Sequence, residues 1–172
     1  MTETAEVEAV VRLFGFQDGP EGFVQVGTDP WEDYLYALAH GGRGSGKSRG
    51  LCYRHVNYIA HWPRAFTILT APTMFMMHDA TLPALMEVCE EMRLVRARHF
   101  EYVATREEIL WWNDARTILR STEHPERLRG PSAAKFGMDE ARDSPFVAFQ
   151  NLQATLRQEG YPHSGDIATT PA

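Results

Sequence analysis

Apolar residues change their spacing several times along this chain, and each change marks an element. Val7, Val10, Val11 and Phe14 recur at helical intervals, which predicts an amphipathic helix over residues 3–14. Gln17-Asp18-Gly19-Pro20 follows as a turn. Leu51, His55, Val56 and Ile59 again keep helical spacing and predict a helix over 51–62. Residues 66–71 (FTILTA) are a short apolar run closed by Pro72, the pattern of a buried strand. Residues 74–93 predict a helical stretch, with Pro83 breaking it and starting a second segment. Two β-rich runs, 108–112 and 116–121, flank Asn113-Asp114 and predict a hairpin. Strands are expected again over 134–138 and 165–168, and a helix over 146–158. Strands alternating with helices imply an α/β fold: a mainly parallel central sheet flanked by helices on both faces.

Residues 30–40 admit two readings. Asp29-Pro30 is a good helix start, and Trp31, Tyr34, Leu35 and Leu38 sit at helical spacing. Yet residues 34–40 (YLYALAH) run directly into Gly-Gly-Arg-Gly-Ser-Gly-Lys-Ser at 41–48. That octapeptide fits G-x-x-x-x-G-K-[ST], a phosphate-binding loop normally fed by a strand, so 34–40 is read as a strand. The chemistry explains the spacing. Gly41, Gly42, Gly44, Ser45 and Gly46 let backbone N–H groups approach a polyphosphate. Lys47 reaches its β and γ oxygens, and the Ser48 hydroxyl is a Mg²⁺ ligand. ATP and Mg²⁺ are therefore the expected cofactors. Such a loop needs an acid at the end of a neighbouring strand. Residues 135–140 (KFGMDE) supply Asp139 on the metal side and Glu140 to orient and deprotonate the attacking water. The strand before them is poor for a central parallel strand, since only Phe136 and Met138 are clearly apolar.

Composition changes the picture little. With 172 residues, 44% hydrophobic and 23% charged, a single domain over 1–172 is expected, with 1–30 as N-terminal helix and lead-in. No apolar run approaches a membrane span of about 20 residues, and the acidic N-terminus lacks a secretory signal's basic region. Isolated Cys52 and Cys89 argue against disulfides and thiolate metal sites. A cytoplasmic, non-secreted protein without membrane partners is expected. The seven histidines are scattered and read as surface or packing residues. A net charge of −6 is unusual for a nucleic-acid binder, although arginines gather at 93–98 and 116–129. Any contact with DNA is then local.

Together these segments resemble the N-terminal ATPase domain of the large terminase subunit of tailed bacteriophages. The matching stretches are HGGRGSGKS (40–48), FTILTAPT (66–73), STEHPERLRGPSA (121–133), MDEA (138–141) and ATTP (168–171). The resemblance implies a P-loop NTPase of the RecA-like, additional-strand, catalytic-glutamate type. It implies ATP hydrolysis coupled to translocation of duplex DNA into a procapsid, within the host cytoplasm. The implied partners are duplex DNA, further copies in a ring on the capsid portal, the small terminase subunit and a separate or downstream nuclease domain, which is not expected within 1–172. It gives Thr169 and Thr170 a coupling role at the γ-phosphate. Arg43, inside the loop, would stabilise transition-state charge in cis, while Arg127 or Arg129 could serve as an arginine finger in a neighbouring site. Gln17 and Gln25 are candidates for the base contact. Two other readings stay open: a helicase- or recombinase-like DNA-dependent ATPase, and a non-hydrolysing nucleotide-binding fragment that docks to a partner.

Overall fold

The computed structural model describes residues 11–14, 35–42 and 44–171. Among them, eight strands form one sheet in the order β1-β2-β8-β7-β3-β6-β5-β4. The strands are β1 (Val11–Phe14), β2 (Tyr36–His40), β3 (Phe66–Ala71), β4 (Phe100–Val103), β5 (Glu108–Trp111), β6 (Arg116–Ser121), β7 (Lys135–Met138) and β8 (Ser164–Thr169). The first six positions in that order are joined by parallel pairings; β6, β5 and β4 then run as an antiparallel meander. The expected hairpin through Asn113-Asp114 is the β5–β6 pair.

Helix α1 (Lys47–His61) and helix α2 (Leu82–Glu91) cover one face; α3 (Phe146–Thr155) covers the other. Alternation along the strands divides the core accordingly. Ala37, Ala39, Leu69 and Leu119 pack towards α1 and α2. Tyr36, Ile68, Ile118, Phe136 and Met138 pack towards α3. Leu51, Val56 and Ile59 are fully buried on α1, as their spacing predicts.

The poor hydrophobicity of β7 has a physical cause. Gly137 faces α1 so closely that a Cβ there would lie 2.7 Å from Leu69 Cδ1 and 3.3 Å from Leu51 Cδ2. Lys135 is fully buried, but its Nζ bonds Asp166 of β8 and Ser164 Oγ at 2.9 Å. Arg54 of α1 donates to the other Asp166 oxygen at 2.9 Å. Burial pushes the Asp166 carboxyl up, but Arg54 and Lys135 outweigh it and hold the group below its ordinary value. Burial brings Lys135 down to about 8 against the pull of Asp166. This buried ion network ties α1, β7 and β8 together.

One sequence expectation fails here. Residues 11–14 are a strand, pairing with β2 in parallel, where the apolar stripe predicted the end of a helix. Val11, Leu13 and Phe14 are too few to separate the two periods, and the edge of β2 settles it by supplying backbone partners. Residues 3–10, the turn at 17–20 and the helix start at Asp29-Pro30 lie outside the described residues, as do Gln17 and Gln25.

Candidate nucleotide site

The C-terminal ends of β2, β7 and β8 meet at one cleft of about 680 Å³. β2 ends at His40, and the loop begins with Gly41 N–H donating to Thr169 O at 3.2 Å. Ser45 N–H donates to Gly42 O at 3.3 Å, curling the loop, and Gly46 at φ +82° turns it into α1. That backbone conformation favours glycine. No side chain caps the first turn of α1, so its N–H groups are left for an anion in the cleft. Lys47, only 8% exposed, folds over the loop and donates from Nζ to Gly42 O at 2.9 Å. Gly44, Gly46, Lys47 and Ser48 all line the cleft. Arg43 lies outside the described residues.

β7 delivers the acids to the same place. Asp139 N–H donates to Thr70 O at 2.9 Å, extending the β3–β7 ladder by one residue and fixing where the carboxylate projects. Ser48 Oγ donates to Asp139 Oδ1 at 2.9 Å, and Glu140 N–H reaches the same oxygen at 3.0 Å. Thr81 Oγ1 donates to Oδ2 at 2.8 Å. Burial pushes the Asp139 carboxyl above its usual range; the bonds from Thr81, Ser48 and Glu140 N–H pull it back. An adjacent hydroxyl and carboxylate are hard oxygen donors, and their number fits Mg²⁺, which keeps several waters and takes few protein ligands.

Glu140 stands at φ +42°, a left-handed conformation that a glutamate adopts at a cost. It lines the cleft, and its carboxylate accepts from Thr170 Oγ1 at 3.0 and 3.3 Å. Of the two threonines, Thr170 thus enters the cleft. Thr169 contributes its carbonyl to the loop entry and lines a separate apolar pocket with Leu38, Met138 and Phe149. Arg142 borders both cavities and donates to Pro171 O at 3.0 Å.

Arg127 and Arg129 do not line the cleft. They sit on a 3₁₀ turn (Pro125–Leu128) and just after it, packed against α3. Leu128 is buried; Asn151 of α3 donates to Pro125 O at 2.7 Å and accepts from Arg129 Nε at 3.0 Å. Arg127 is exposed. The arginines of 116–129 therefore do not form one patch, since Arg116 turns to Glu108. Sequence reasoning missed Thr81 and Arg142; Pro83, two residues after Thr81, was the available signal for the first.

Cys52 and Cys89 are free and buried. His55 is a core histidine, its Nε2 at 3.0 Å from Thr67 Oγ1 and 3.3 Å from Thr117 Oγ1. Burial lowers its pKa to about 3, with Lys135 adding to the effect. Among the described residues no helix is long and apolar enough to cross a membrane.

A mainly parallel sheet with a glycine loop feeding its first covering helix, and paired acids on a neighbouring strand end, defines a P-loop NTPase fold. No family model and no curated protein sequence matches the chain. Solved structures do. The chain is similar to the large terminase of the thermophilic bacteriophage D6E, with TM-score 0.74 and 11% identity over 88% of this chain and 38% of that one. The same terminase in complex with ATP-γ-S matches with TM-score 0.71 and 11% identity, over 87% of this chain and 36% of that one. The large terminase ATPase domain of Thermus phage P74-26 matches with TM-score 0.57 and 18% identity, over 80% of this chain and 59% of that one. The chain has the fold of a large terminase ATPase domain, and it spans about two fifths of the first terminase's length.

Proposed function

We propose that this chain is the ATP-hydrolysing motor domain of a DNA-packaging terminase. One observation carries the reading: Ser48 of the loop and Asp139 at the end of β7 meet at 2.9 Å, with Lys47 and Glu140 lining the same cleft. The neighbours' fold, and the ATP-γ-S complex of one of them, support it.

In this reading loop residues 41–46 and the first turn of α1 hold the phosphates through backbone N–H groups. Lys47 exchanges its bond to Gly42 O for the β and γ oxygens. Ser48 and Asp139 would hold Mg²⁺, which would supply positive charge against the negative charge developing on the phosphates. The Glu140 carboxylate orients a water towards the γ-phosphate and takes its proton. Thr170 holds that carboxylate before nucleotide arrives, so the base and the end of β8 move together. This gives Thr170 the coupling role and leaves Thr169 a backbone role at the loop entry. Arg43 supplies charge in cis. Arg127 is exposed on its loop, which supports a role on a neighbouring subunit, and Arg129 steadies that loop.

ATP hydrolysis measured for the assembled packaging machine, with and without duplex DNA and portal, tests the reading. Turnover that rises with both is expected. Turnover indifferent to both would contradict a packaging motor.

A further inference from the structure

Thr81 is drawn into the site by a defect in the helix that carries it. The chain from Met74 to Glu91 is helical throughout, but Met77–Thr81 is a π-turn between α-helical segments, and Leu82 N–H donates to Met77 O, five residues back. Pro83 explains the widening. It has no N–H for the carbonyl of Asp79, and in a regular helix its ring would collide with that carbonyl. π-turns of this kind occur often at functional sites.

The widened turn holds Thr81 from two sides. Its carbonyl accepts from Cys52 Sγ of α1 at 3.7 Å. Its hydroxyl donates to Asp139 Oδ2 at 2.8 Å, and the residue is only 1% exposed. The other carboxylate oxygen, Oδ1, belongs to Ser48 and Glu140 N–H. The two oxygens are thus divided between separate tasks. Oδ1 faces the loop serine, and Oδ2 is anchored to a helix that contributes neither phosphate loop nor acid.

We propose that Thr81 is a positioning residue for the metal-side acid: it fixes the plane of the Asp139 carboxylate so that Oδ1 is presented to a divalent cation beside Ser48. The proposal rests on the nucleotide-site reading above. A hydrogen-bonded partner behind a metal-side carboxylate typically changes metal affinity by roughly 10- to 100-fold.

The test is Mn²⁺ binding, followed by the electron paramagnetic resonance signal of the free ion, in the presence of a non-hydrolysable ATP analogue. Wild type, Thr81→Val and Thr81→Ser are compared. Valine keeps the shape and removes the hydroxyl; serine keeps the hydroxyl. Thr81→Val should bind Mn²⁺ roughly tenfold or more weakly, Thr81→Ser should restore it, and analogue binding in EDTA should be alike in all three. If Thr81→Val does not fold, Thr81→Ala carries the same expectation. Wild type that binds analogue and Mn²⁺, with a folded hydroxyl-less variant that matches it, would overturn the role of Thr81 alone. Wild type that binds no analogue at all would overturn the site reading and Thr81 with it.

Discussion

Ser48 and Asp139 are 91 residues apart in sequence and 2.9 Å apart in space, and each of their neighbours has a separable task. Glu140→Gln preserves shape and leaves an acceptor for Thr170, but removes the base. Nucleotide binding should stay near wild type, while hydrolysis falls by about 10²-fold or more in a phosphate-release assay. Wild-type turnover in that variant would make Glu140 a mere cleft acid. His55 makes a prediction about pH. It is held neutral with a pKa of about 3 in the fold, against an ordinary value of 6.5. Between those values the unfolded chain binds the extra proton. Stability from this group is therefore full above pH 6.5 and is lost as pH falls towards 3, at about 1.4 kcal/mol per pH unit. Urea unfolding near pH 7 and pH 4.5 should show a smaller pH-dependent loss in His55→Gln than in wild type. Parallel losses would mean that His55 does not carry the acid sensitivity.

At the scale of elements, β8 is tightly packed at Gly165. A Cβ at Gly165 would lie 2.4 and 2.8 Å from Phe136 ring atoms and 2.8 Å from Tyr36 Cδ1, against rings that are themselves packed. Gly165→Ala should cost about 1–3 kcal/mol of stability by chemical denaturation, because overpacking forces those rings off their rotamers. An unchanged midpoint would show that the rings yield freely. The sequence made β3 and the hairpin legible through short apolar runs bounded by turn residues; the phosphate loop decided β2 against a helical pattern, and the acids at 139–140 marked the end of β7. What it concealed was long-range. Lys135 reads as a break in a buried strand until Asp166, 31 residues later, is beside it. Four-residue β4 (FEYV) is the last strand of the sheet and buries only Phe100, so its pattern is faint. Pro83 announced a break, but not that the break would carry Thr81 to Asp139. The acids and the loop were readable because their chemistry demands particular residues at particular spacing; Arg142 was not, since an arginine after an acid pair has no such signature.

For the whole molecule, the separation of Arg127 and Arg129 from the cleft bears on assembly. Under the proposed function Arg127 acts on a neighbour's site, since it does not line its own cleft. In rings assembled on the portal, Arg127→Ala should lower turnover by about 10³-fold or more, the scale on which such arginines act. Mixing it with Glu140→Gln should restore activity, because some interfaces then pair an intact base with an intact finger. No recovery in rings shown to be mixed would return the role to Arg43. The fold itself, the ion network beneath the site and the paired acids all serve one claim, that residues 41–48 bind the phosphates of ATP. Isothermal titration of a non-hydrolysable ATP analogue with Mg²⁺ into wild type and Lys47→Ala tests it most directly. Wild type should bind, and a Lys47→Ala protein that still folds should lose nearly all affinity; equal affinity in the two would contradict phosphate binding by residues 41–48.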